Sequence, residues 1–151
     1  MSSEAPDRVR QRLLDVMRVE TFYPPADASA IAAAETRVGV VFPQWLRNLY
    51  LACNGFRGPT QWEYLLPLEG CEGLVEFTQF LRAEEWAPPW LARAVVFGSD
   101  TGSLSLTTHF VALDGALVTW TFGDGPVFVE FDGTVYDLYR REQALWDELD
   151  T

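Results

Sequence analysis

The stretch from Ile31 to Phe56 reads IAAAETRVGVVFPQWLRNLYLACNGF, and its punctuation decides the fold. Ile31, Ala34, Glu35 and Val38 recur at helical spacing, with Asp27 or Ser29 available to cap the start. Gly39 then supplies the stop, because glycine enters left-handed backbone without a Cβ clash. Pro43 fits the first turn of a second helix, where its missing N–H removes no hydrogen bond. Leu46, Leu49, Tyr50 and Cys53 form the apolar stripe of that helix, and Asn54-Gly55 ends it. Two short helices therefore meet at a sharp corner.

Toward the N-terminus, Val9, Leu13, Val16 and Met17 lie on one stripe and predict an opening helix over residues 7–20. Pro24 and Pro25 break it. Beyond the corner, WEYLLPLEG predicts one or two short strands around Pro67, and GLVEFTQFLR returns to helical spacing through Leu74, Phe77, Phe80 and Leu81. From Ala94 onward the pattern is β. AVVFG is short and apolar, and LSLTTHFVAL alternates with Leu104, Leu106, Thr108 and Phe110 on one side. Asp114-Gly115 is a two-residue hairpin signal leading into Val118, Trp120 and Phe122 on one face. PVFVEF forms a further strand closed by Asp132-Gly133. VYDLYRREQALWDEL predicts a closing helix with Leu138, Leu145, Trp146 and Leu149 turned inward.

This order predicts a single α+β domain, with a mainly antiparallel sheet of about five or six strands packed against helices. Residues 1–27 are expected to be an N-terminal helical extension, and 28–151 the main body, the two forming one globular unit.

The 151 residues are 48% hydrophobic, enough for one packed core. No apolar run approaches the roughly 18 residues of a membrane span, and the N-terminus lacks the order of a secretory signal. A cytoplasmic protein is the expectation. Every basic residue is arginine, and the net charge is -11, which disfavours nucleic acid and anionic membrane as partners. From Ala94 to Tyr139 the chain carries Asp100, Asp114, Asp124, Glu130, Asp132 and Asp137 and no arginine. Such a stretch either keeps the surface soluble or faces a basic partner.

Groups for catalysis are scarce. Cys53 and Cys71 form no disulfide framework, and Cys53 is in phase with a buried face. His109 lies mid-strand, where a histidine is most often a structural side chain. Two cysteines and one histidine supply no zinc cluster, and no phosphate-cradling loop is present, so neither metal nor cofactor is expected. GSDTGS, residues 98–103, reads as a turn between strands, although Asp100 and His109 could be drawn as an enzyme's pair. The six tryptophans are more telling, because Trp beside carboxylates is what an interface with a basic partner uses.

Ile31, Glu35, Gly39, Phe42, Pro43, Leu46, Tyr50, Asn54 and Gly55 together resemble the N-terminal signature of the SUKH superfamily of Smi/Knr-like domains. In that family a glutamate-bearing helix leads through a glycine and a proline to a second helix ending in Asn-Gly. Phe42 stands where leucine is commoner, and the likeness extends by order of elements over residues 28–149. The resemblance implies a non-enzymatic binding module: in bacteria, an immunity protein that neutralises a cognate toxin, often a nuclease. A regulatory or scaffolding domain for an endogenous partner is the alternative. The expected partner is a basic protein toxin, and the chain itself a monomer or weak homodimer. The family has no fixed contact motif. Composition and turn position alone select Glu63, Trp86, Asp100, Asp114, Trp120, Asp124 and Asp132 as candidate partner contacts.

Overall fold

The structure is a computed structural model, and it describes residues 4–58, 64–70, 73–101, 107–122 and 126–149. Helix α1, Pro6–Val16, starts on a proline and buries Val9, Leu13 and Val16 against α3 and α5. Helix α2, Ala28–Val38, is capped by Asp27, whose carboxylate accepts the Ala30 N–H at 2.8 Å. Gly39 closes it at φ 71°. Helix α3, Gln44–Ala52, follows with Pro43 as its N-cap, one position earlier than the sequence suggested. Glu35 fixes the corner. Its carboxylate accepts the Phe42 N–H at 2.7 Å and the Arg47 guanidinium at 3.0 Å.

Asn54-Gly55 does more than end a helix. Asn54 Oδ1 accepts the Leu68 N–H at 2.8 Å, and Gly55 sits at φ 102° with no room for a Cβ beside the Leu65 carbonyl. The pair thus docks the segment around Pro67 onto the helices. Among the described residues that segment contributes a single bridge rather than the one or two short strands expected around Pro67. Strand β1, Thr21–Phe22, pairs with β2, Phe56–Arg57, and Leu65 adds a single bridge to Phe56. Leu66 turns its N–H to the Phe97 carbonyl at 2.7 Å, so residues 64–68 connect the small sheet to the large one.

Helix α4, Leu74–Arg82, buries Leu74, Val75, Thr78 and Leu81 and leaves Phe80 61% exposed. The stripe is rotated from the predicted one because Thr78 Oγ1 is drawn inward to accept the Val96 N–H at 3.0 Å. A 3-10 turn, Pro89–Arg93, leads into the large sheet. Arg82 ties this junction together by donating to the carbonyls of Val38, Leu91 and Ala94.

The large sheet is β3 (Ala94–Thr101), β4 (Thr107–Leu113), β5 (Ala116–Phe122) and β6 (Pro126–Glu130), antiparallel throughout and in sequence order. Asp114 and Gly115 join β4 to β5 with φ of 51° and 87°, the left-handed pair that a tight hairpin needs. Phe110, Ala112 and Leu117 face the main core with the helices, whereas Val96, Val111, Val118 and Trp120 face a second core with Leu81 and Leu91. Helix α5, Val135–Leu149, packs on the main-core side. Its inward positions are Leu138, Tyr139 and Glu142, while Leu145 is 39% exposed. Cys53 is a free, buried thiol pushed up to about 12 by burial, as befits a small core hydrophobe, and Cys71 lies outside the described residues.

Candidate functional site

The large sheet distributes the predicted contact residues over both of its faces. Successive strand residues point to opposite sides, so the register fixes which ones share a face. Trp120 pairs with His109 on one side and Phe128 on the other, placing these three rings together. Trp86, Trp90 and Phe122 complete the cluster. Trp90 lies 4.9 Å from Trp120 and 4.7 Å from Phe128, and Trp86 lies 6.0 Å from Trp120. Trp120 is 3% exposed, so it supports this face from beneath and offers no contact surface. Trp86 is 53% exposed and caps the cluster from the turn after α4.

Asp100 lies elsewhere. It pairs with Thr108, is 3% exposed, and looks into the main-core side, where Trp146 Nε1 donates to its two oxygens at 3.2 and 3.1 Å. Glu142 lies beside it, also 3% exposed. Burial raises the Asp100 carboxyl from its ordinary range, and burial together with the hydrogen bond to Asp100 raises Glu142 to about 7. The pair is internal structure, unavailable to a partner, and sequence reasoning missed Glu142. The signal was present in principle: Leu138, Tyr139, Glu142 and Trp146 lie on one helical stripe.

The remaining carboxylates gather at one end of the sheet. Asp114 occupies the β4–β5 turn, 60% exposed and paired with Arg93 at 3.2 Å. Glu130 and Asp132 are exposed at the end of β6, and the Phe131 N–H bonds the Leu117 carbonyl, placing this end beside the start of β5. Glu84 and Glu85 immediately precede Trp86 on the turn. Glu84, Glu85, Glu130 and Asp132 make no ion pair among the described residues. Most described arginines, by contrast, are matched with acids of the helical layer, as in Arg47–Glu35 and Arg37–Glu69. Glu63 and Asp124 lie outside the described residues.

Sequence reasoning also passed over β6 itself. Val127, Phe128 and Val129 are 55%, 44% and 50% exposed. Three consecutive apolar residues in the last strand of a meander put apolar groups on both faces, and among the described residues no later strand covers them.

An Asp100–His109 active site does not form. His109 faces the aromatic cluster, with Phe77, Trp120 and Phe122 within 5.4 to 5.7 Å, and Asp100 leaves the opposite face of the sheet. Burial lowers the imidazole to about 4, and its Nδ1 has no partner among the described residues, as suits a structural side chain in the core. Among the described residues no group of three or more His, Cys, Asp or Glu could hold a metal ion, and no helix is long and apolar enough to cross a membrane.

What the geometry presents is an acidic and aromatic surface with no assembled reactive centre among the described residues. No curated protein and no solved structure matches the chain significantly. The model of the SMI1 / KNR4 family (SUKH-1) matches residues 25–141, from the loop before α2 into α5, and the chain belongs to that family.

Proposed function

We propose that this chain is an immunity protein that binds a cognate protein toxin and neutralises it. Family membership supports a binding module of this kind. The observation that carries the electrostatic mode is the division of charge among the described residues: most arginines pair with acids of the helical layer, while Glu130 and Asp132 at the end of β6, and Glu84 and Glu85 just before the exposed Trp86, make no ion pair. Unmatched anions at a surface steer a cationic partner and speed its association. A nuclease toxin is the partner class that suits this best, because an enzyme that grips a polyanion carries a basic face. An inhibitor presenting carboxylates there competes with the nucleic acid by charge. The desolvated anchor would be Trp86, the one exposed ring of the cluster's tryptophans that projects from the turn.

The test is co-expression. The product of the gene immediately upstream, the expected place of a cognate toxin, is expressed in a susceptible host with and without the chain. Survival restored by the chain, together with a stable complex on gel filtration, is the expected result. A toxin that kills equally in its presence overturns the proposal.

A further inference from the structure

Among the described residues strand β6 is an unpaired edge of the large sheet, and between its terminal Pro126 and Glu130 it carries none of the devices that usually blunt such an edge. Edge strands ordinarily carry lysine, a central proline or an inward charge, since their unpaired backbone groups recruit other strands. Between Pro126 and Glu130 this one carries only Val127, Phe128 and Val129. The register shows which backbone groups are free. Phe131 donates inward to Leu117 and the Val129 carbonyl faces Thr119, so the alternation of an antiparallel ladder turns the N–H and C=O of Phe128 and Glu130 outward. No described residue meets them there.

We propose that β6 takes an extended, arginine- or lysine-bearing strand of the protein partner as a fifth strand of the sheet, resting on the proposed function above. Charge chooses the occupant. Glu130 ends the strand, Asp132 follows it, and Glu84 and Glu85 sit on the turn whose Trp86 packs over Trp120 and Phe122. A cationic strand laid along β6 meets these acids at its ends and apolar side chains along its middle. Its alternate residues contact Phe128 on the tryptophan side and Val127 and Val129 on the other, which gives side-chain selectivity over a sequence-neutral backbone ladder. A second copy fits less well. It brings its own charge of -11, and antiparallel pairing of two β6 strands about Phe128 sets Glu130 against Pro126, which has no N–H to offer.

The probe is a short peptide alternating arginine and valine, with a glutamate-for-arginine version as control, titrated into the full chain. Binding is read by tryptophan fluorescence and by hydrogen exchange at the Phe128 and Glu130 amides. The arginine peptide is expected to bind saturably and to slow both amides, and the glutamate peptide to do neither. Phe128→Pro removes an outward donor at a position where an edge strand tolerates proline, and should weaken binding by roughly tenfold. Glu130→Lys leaves the backbone intact and should weaken binding and reduce its salt dependence, which keeps the test decisive should Phe128→Pro misfold. Absence of binding, or binding at the same affinity in folded Phe128→Pro, overturns strand addition. So does a concentration-dependent dimer that Phe128→Pro abolishes, since the edge then serves self-association. Toxin rescue that survives Phe128→Pro but is lost in Asp132→Lys overturns strand addition alone, whereas failure of rescue by the unaltered chain removes the proposed function.

Discussion

Trp146 Nε1 donates to both carboxylate oxygens of Asp100, at 3.2 and 3.1 Å, and so ties α5 to β3 at a point where Glu142 is buried alongside. Tyr64 and Arg141 are the other ionisable groups facing the two carboxyls. Burial and mutual repulsion hold Glu142 protonated up to about 7 in the folded chain, against about 4.5 when exposed. The folded state therefore binds the proton more tightly. The contribution is complete below about pH 4.5 and is lost as pH rises through about 7. Glu142→Gln should remove that loss and raise stability at pH 8 by on the order of 1 kcal/mol, measured by urea unfolding across pH.

His109 tilts the profile the other way. Its imidazole is lowered to about 4 by burial, so the unfolded chain takes up the proton first. Stability from this group is complete above about 6.5 and falls as pH drops through about 4. The two sites oppose each other between about pH 4.5 and 6.5, and the wild type should show a shallow profile there. His109→Phe keeps a ring among Phe77, Trp120 and Phe122 and deletes an unpartnered Nδ1. It should stabilise the chain at pH 5 by about 1 kcal/mol and by less at pH 8. A larger gain at pH 8 would contradict the assignment.

Glu35 accounts for much of the signature around it. One carboxylate holds the Phe42 N–H and the Arg47 guanidinium across the corner that Gly39 opens. Glu35→Ala should cost about 2–3 kcal/mol, since it strands a part-buried donor and uncouples a guanidinium that is half covered. Arg47→Ala should cost less, because the Phe42 hydrogen bond survives. A double-mutant cycle by urea denaturation should show positive coupling between the two.

The helical corner and the hairpin were readable because their signals are local: Gly39, Asn54-Gly55 and Asp114-Gly115 each announce a backbone conformation that the structure adopts. The buried stripes of α4 and α5 were read less well. Thr78 and Glu142 are inward because of hydrogen bonds to residues far away in sequence, which no periodicity encodes. The partner contacts suffered in the same way. Asp100 looked like a loop carboxylate and Trp120 like an exposed ring, until β4 set His109 and Asp100 on opposite faces and the segment 86–90 covered Trp120. Exposure along β6 follows from its place at the sheet edge, which needs the strand order and not only the strands.

Three glycines should separate conformational from steric requirements. Gly39 has open space around its missing Cβ and only its φ of 71° opposes a side chain, so Gly39→Ala should cost about 1 kcal/mol. Gly55 combines φ 102° with backbone atoms of Leu65 and Pro67 at 3.0 Å, and its alanine variant should cost more. Gly98 has the tightest contact of the three, with the Tyr64 carbonyl oxygen 2.2 Å from where a Cβ would sit, beside the irregular register between Val96 and Gly98. Gly98→Ala must push the 64–68 segment off the sheet and should lower the melting temperature most. The order Gly39, Gly55, Gly98 of increasing loss is the outcome to check by thermal unfolding.

Charge reversal distinguishes an acidic docking face from acidic surface that only maintains solubility. Asp114 and Asp132 are exposed at the same end of the sheet, and Asp114 has only an exposed pair with Arg93. Reversing either should change folding stability by no more than about 0.5 kcal/mol, since exposed pairs contribute little. Asp132→Lys should nonetheless slow association with the toxin by roughly two- to tenfold at low salt, leave dissociation nearly unchanged, and lose its effect as salt rises. Asp114→Lys should act in the same direction but more weakly, because the charge of Asp114 is already offset by Arg93. Surface plasmon resonance over a salt series separates these terms. Equal association rates for the wild type and both variants at every salt concentration would leave the carboxylates a solubility role and no part in steering.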